Sequence, residues 1–194
     1  MVPSLPSYML SDLPYVLEQA SLPRHAGHNQ ALSMITEPTI AHRPERHTVG
    51  IRVRTPFKGM FAVVDQLLKE LRQWVNAQQL ADQGPFFLRY HVVNMEGEMD
   101  IEVGFVVGEP TPGDDRVRPG TLPAGDYAHL TYSRYALRGN KALIGWMRDN
   151  GIAVDGQTTQ EGDAFAYRYE AYLTDYRVEH RKSAWRVELA IKVE

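Results

Sequence analysis

The sequence predicts an α+β fold made of two pseudo-symmetric β-α-β-β units, with antiparallel sheets, two helices on one side and a central cleft. Three observations predict it. Strand-period alternation and helix-period stripes follow one another in the same order twice, over residues 47–107 and again over 126–193. A polar, proline-rich stretch from Gly108 to Asp115 separates the two rounds. Each predicted helix carries a tryptophan followed by an apolar residue, Trp74-Val75 and Trp146-Met147, which is a weak sign of internal repetition.

The elements follow in chain order. Residues 1–31 read as a loosely structured appendage, because Pro3, Pro6, Pro14 and Pro23 interrupt small and polar residues. The domain proper is expected over 32–194. From His47 to Thr55 the chain alternates, with Val49, Ile51 and Val53 on one face and Gly50, Arg52 and Arg54 on the other. Pro56 ends that strand and Gly59 opens a helix. There Met60, Val63, Val64, Leu67, Leu68, Leu71, Trp74 and Val75 form one apolar stripe. Phe86–Val93 and Met99–Val107 read as strands joined by a hairpin loop. In the second round Asp126–Tyr132 is a strand and Tyr135–Asn150 a helix, with Gly151 just past its end. Ala164–Leu173 and Trp185–Val193 are the last two strands.

Composition excludes several classes of function. The chain has 194 residues and no cysteine, so a disulfide framework, a thiolate metal site and a cysteine nucleophile are ruled out. That usage suits a reducing, cytoplasmic setting. Lys and Arg number 21 against 24 Asp and Glu, for a net charge of −3 with no basic block. The electrostatic footprint of direct nucleic-acid binding is therefore missing. No apolar stretch approaches the roughly 20 residues of a membrane-spanning helix. His25 and His28, followed by His42 and His47, invite a metal reading. No carboxylate stands at a fixed spacing from them to complete the three or four ligands a zinc site needs, and no metal is expected. Phosphate-loop, nucleophile-elbow and dinucleotide motifs are absent, and no cofactor is expected.

Several segments together resemble the GyrI-like small-molecule-binding family, which is related to the effector-binding domains of AraC-type and MerR-type regulators. They are Val49-Gly50-Ile51-Arg52, Met99-Asp100-Ile101-Glu102-Val103-Gly104 and Leu122-Pro123-Ala124-Gly125-Asp126-Tyr127-Ala128. Near the end come Glu170-Ala171-Tyr172-Leu173-Thr174-Asp175 and Lys182-Ser183-Ala184-Trp185-Arg186-Val187-Glu188-Leu189. The resemblance covers roughly residues 35–194. The chain departs from it at Thr174-Asp175-Tyr176, where the family often has Thr-Asp-Pro, and at Ser133-Arg134-Tyr135. The resemblance implies two β-α-β-β units flanking a ligand cleft. It also implies binding of hydrophobic or cationic aromatic molecules and, in some standalone members, hydrolysis of cyclopropane-bearing genotoxins.

The chemistry-bearing candidates are few. Glu170 interrupts the aromatic strand Phe165–Tyr172, and alternation sets Arg168, Glu170 and Tyr172 on one face. A carboxylate among rings can hold a ligand cation, with cation–π attraction of ~0.5–2 kcal/mol from the rings. It can also serve as a general base, because desolvation raises its pKa. The bland alternative is a salt bridge to Arg168. The resemblance favours a place in the cleft. Glu188 shares the face of Arg186, Ala190 and Lys192, away from Val187, Leu189 and Ile191, and is either a second cleft acid or half of a cross-strand ion pair. Tyr90, Tyr127, Tyr172 and Trp185 are the candidate walls. Asp100 and Glu102 read as the solvated side of their strand. Three functions follow as expectations. One is a standalone small-molecule binder for sensing, sequestration or resistance. Another is a hydrolase using Glu170 and Glu188 on one water. The third is a protein-interaction inhibitor. A transcription factor is not expected, since no DNA-binding segment precedes the module in this sequence.

Overall fold

One continuous antiparallel sheet carries both helices on a single face in this computed structural model, which describes residues 34–80 and 84–194. The order is β1 (Thr39–Arg43), β2 (Arg46–Pro56), α1 (Met60–Ala77), β3 (Phe86–Val93), β4 (Glu98–Val107), β5 (Arg118–Leu122) and β6 (Gly125–Ser133). There follow α2 (Ala136–Asp149), β7 (Gly156–Thr159), β8 (Gly162–Phe165), β9 (Arg168–Tyr172), a 3₁₀ turn (Lys182–Ala184) and β10 (Arg186–Lys192). The predicted appendage over 1–31, with His25 and His28, lies outside the described residues.

Strands line up as β1-β6-β10-β9-β3-β4-β2-β5. Read inward from either side, β2-β4-β3 meets β6-β10-β9, and the two expected sheets merge where β3 pairs with β9. The edge strands are exchanged: β1 precedes β2 but pairs with β6, and β5 precedes β6 but pairs with β2. Only Pro44-Glu45 separates β1 from β2, and only Pro123-Ala124 separates β5 from β6. Two-residue links between opposite ends of the sheet oblige it to curl. Three of these strands, β1, β5 and β7, are not expected from sequence; they are short and mostly exposed, so no apolar alternation marks them. The strand expected over 164–173 is broken into β8 and β9. Between them the Ala166 N–H donates to the Asp155 carbonyl, and the Tyr167 carbonyl accepts from the Lys192 N–H.

Alternation gives the sheet two interiors. On the helix side, α1 lays Met60, Val64, Leu67, Leu68, Leu71 and Val75 on Val49, Ile51, Leu88, Ile101, Val103 and Phe105. α2 lays Leu143 and Met147 on Leu130, Leu189 and Ile191. Each fully buried aliphatic side chain contributes roughly 1.5–3 kcal/mol. Tyr172 and Tyr176 pack against both clusters, so the seam between the two half-cores runs past the end of β9. On the other face Phe87, Val106, Leu122, Tyr127, Tyr167, Tyr169, Ala171 and Ala190 form a third cluster. Phe87 fits because residue 104 is glycine: a Cβ there would lie 2.1 Å from the Phe87 ring.

Candidate functional site

Register decides which candidates meet. Directly opposed residues of an antiparallel pair share a face. Glu170 lies opposite Leu88 of β3 and Leu189 of β10, and Leu189 lies opposite Leu130 of β6. All three leucines belong to the helix-side cores, so Glu170 points into the space between the helices. It is only 8 % exposed.

The carboxylate of Glu170 collects donors from three elements. The Asn140 side-chain amide of α2 donates to Oε1 at 3.2 Å. The hydroxyls of Tyr90 on β3 and Tyr132 on β6 hydrogen-bond to the same group. Asn140 also accepts from the Arg168 guanidinium at 2.8 Å, so it stands between the two charges of the strand. In place of the alternative Arg168–Glu170 salt bridge there is an amide relay through Asn140. Arg168 stacks 5.3 Å from the Tyr90 ring centroid and 5.0 Å from that of Phe165. Gly139 lets α2 come this close, since a Cβ there would meet the Tyr132 ring at 2.8 Å.

Burial is the main force on Glu170 and raises its pKa. The Asn140 bond, the Arg168 charge and the two tyrosine hydroxyls pull the other way without cancelling it. Burial and the Glu170 charge push Tyr90 and Tyr132 upward, so both remain neutral donors. Burial lowers Arg168, against the charges of Glu170 and Asp163 among others. Next along the face, Tyr172 stands 5.5 Å from Trp185 between ring centroids. Trp185 is fixed by its indole N–H, which donates to the Glu179 carbonyl at 2.7 Å.

Tyr90, Glu170, Tyr172 and Trp185 are therefore brought together, and Glu188 and Tyr127 are not. This corrects the expectation of one shared cleft. The β9–β10 register turns Glu188 to the opposite face, where Arg43 grips it through both terminal nitrogens at 2.8 and 3.0 Å. Tyr127, on the same far face, is fully buried and donates its hydroxyl to the Pro123 carbonyl at 2.9 Å. A single water cannot serve both Glu170 and Glu188 through the sheet. Asp100 and Glu102 also lie on that far face and are not solvated. Asp100 is 4 % exposed and held by Arg52 at 2.7 Å, a bond that lowers its pKa; Glu102 accepts from His91 at 2.8 Å.

Sequence reading missed Asn140 and Tyr132. Asn140 had a signal, because it is a polar residue four after Ala136 and three before Leu143, inside the buried stripe of α2. Tyr132 shares the alternation of Ala128 and Leu130. Among the described residues no group of three or more His, Cys, Asp or Glu side chains could hold a metal, and no helix is long and apolar enough to cross a membrane.

The frame is thus a curled antiparallel sheet with two helices on one face and a buried carboxylate among rings where the half-cores meet. The chain belongs to the GyrI-like family: residues 36–194 match the model of the GyrI-like small molecule binding domain. Solved structures agree in fold. A chain of the EcmrR–DNA complex has a TM-score of 0.63 at 18 % identity, over 86 % of this chain and 60 % of that longer one. The isolated EcmrR C-terminal domain gives 0.57 at 17 %, over 81 % of this chain and 97 % of that domain. SAV2435 bound to tetraphenylphosphonium gives 0.54 at 11 %, over 82 % and 92 %. Comparison with curated proteins found no match.

Proposed function

We propose that this protein is a receptor for a small aromatic molecule, held in the seam between α1 and α2 with Glu170 as its polar anchor. The observation that carries the reading is the placement of a buried carboxylate at the junction of two half-cores, with Tyr90, Tyr132, Tyr172 and Trp185 around it. Rings supply apolar surface and orientation, while one carboxylate oxygen supplies specificity for a donor group. Sensing, sequestration and resistance are all served by such a site, and a cytoplasmic location suits a chain with no cysteine. The two-carboxylate hydrolase draws no support from a site that contains one of the two acids. A protein-interaction role draws no support from the same geometry.

Calorimetric titration with 2-naphthol, a flat ring with one hydroxyl donor, tests the reading. Wild type binds it. Glu170→Gln weakens binding by roughly 10–100-fold, the range of a hydrogen bond to a charged group. Glu188→Gln, on the far face, changes it by less than about twofold. Equal loss in both variants, or none in Glu170→Gln, contradicts the site.

A further inference from the structure

Arg72 reaches from α1 to the same row of rings. Its guanidinium carbon lies 3.8 Å from the Tyr176 ring centroid and 5.6 Å from those of Phe86 and Trp185. Trp185 touches Tyr172, and Tyr172 is two residues from Glu170 on one face. Glu170, Tyr172, Trp185 and Arg72 thus form one continuous line with a charge at each end.

The two ends are not equally satisfied. Glu170 already accepts from Asn140, Tyr90 and Tyr132. Arg168 has the Asn140 oxygen and the nearby charges of Glu170 and Asp163. Arg72, in contrast, forms no ion pair among the described residues. The acid whose charge acts on it, Asp65, is held by Lys182. Its Nε is buried with no acceptor, as are those of Arg89 and Arg168, but those two have the Ala166 carbonyl and the Asn140 oxygen on their terminal nitrogens. A guanidinium presents a planar fork of donors that matches a carboxylate in two parallel bonds, and ring surfaces exclude the water that would weaken them.

Resting on the reading above, we infer that the ligand is an aromatic anion, with its carboxylate or equivalent group on Arg72 and its ring against Trp185 and Tyr172. A lipophilic cation in the same seam would have to lie between two guanidinium groups, Arg72 and Arg168, with only one carboxylate to offset them.

The experiment compares 6-hydroxy-2-naphthoate, 2-naphthol and tetraphenylphosphonium by calorimetry on the full chain. On wild type the naphthoate should bind at least about tenfold tighter than 2-naphthol, the increment of one charge-assisted contact. Arg72→Gln should bring the two within about twofold, and a circular dichroism spectrum and melting curve like those of wild type show that the variant is folded. Arg72→Lys, which keeps the charge without the fork, should fall between. Three results overturn the inference while leaving the receptor reading intact: no advantage for the naphthoate, an advantage that survives Arg72→Gln, or tetraphenylphosphonium binding tighter than the naphthoate. If 2-naphthol itself fails to bind wild type, the receptor reading falls and takes the inference with it.

Discussion

Asn140 of α2 hydrogen-bonds Glu170 of β9 at 3.2 Å, and this contact ties a helix to the middle of the sheet. The same amide takes a hydrogen bond from Arg168, so one side chain satisfies both charges of a buried strand. Removing it takes one of three donors from the carboxylate and the amide acceptor from the guanidinium together. Asn140→Ala should cost about 1–3 kcal/mol in denaturant melts and should weaken 2-naphthol binding as well. A variant as stable as wild type would mean that water or another donor replaces the amide.

The raised pKa of Glu170 fixes the sign of a pH effect. The folded protein binds this proton more tightly than the unfolded chain, where a glutamate titrates near ~4.3. The stabilising contribution is therefore fully present below that value and is lost as pH rises through the folded pKa. Glu170→Gln removes the titration. Stability of wild type minus that of Glu170→Gln should fall as pH rises through this window and then level off. A difference that grows with pH would require the folded pKa to be depressed.

Gly104 makes room for the core of the far face. A Cβ at that position would overlap the fully buried Phe87 ring. Gly104→Ala should destabilise by roughly 1–3 kcal/mol through overpacking. Adding Phe87→Leu should recover part of the loss, which a double-mutant cycle of melting curves reads directly.

Much of the fold was legible because period and burial coincide. Val49, Ile51 and Val53 alternate, and Met60 to Val75 form a helical stripe, so their elements were visible without contacts. The edge strands β1, β5 and β7 bury almost nothing, and what makes them strands is a partner distant in sequence. The site was legible in half. Glu170 and Tyr172 stood out by their aromatic company. Alternation alone could place Glu188 opposite Leu189, but only the β9–β10 register says that Glu170 goes with Leu189. Asn140 and Arg72 meet the site from helices; the α2 stripe marks Asn140 as inward-facing, but which strand residues it meets depends on helix-to-sheet docking, which spacing along the chain does not record.

The most direct test of the receptor reading is the indole N–H of Trp185. The chain has three tryptophans, so a ¹⁵N–¹H spectrum offers three indole peaks, assigned with Trp→Phe variants. Trp185 is part of the seam; Trp74 is tied by its own N–H to Asp114 at 2.7 Å, away from Glu170. Titration with 2-naphthol should shift the Trp185 peak in a saturable way, leave the Trp74 peak in place, and lose its effect in Glu170→Gln. A Trp185 peak that stays still while calorimetry records binding would put the ligand elsewhere and contradict the account.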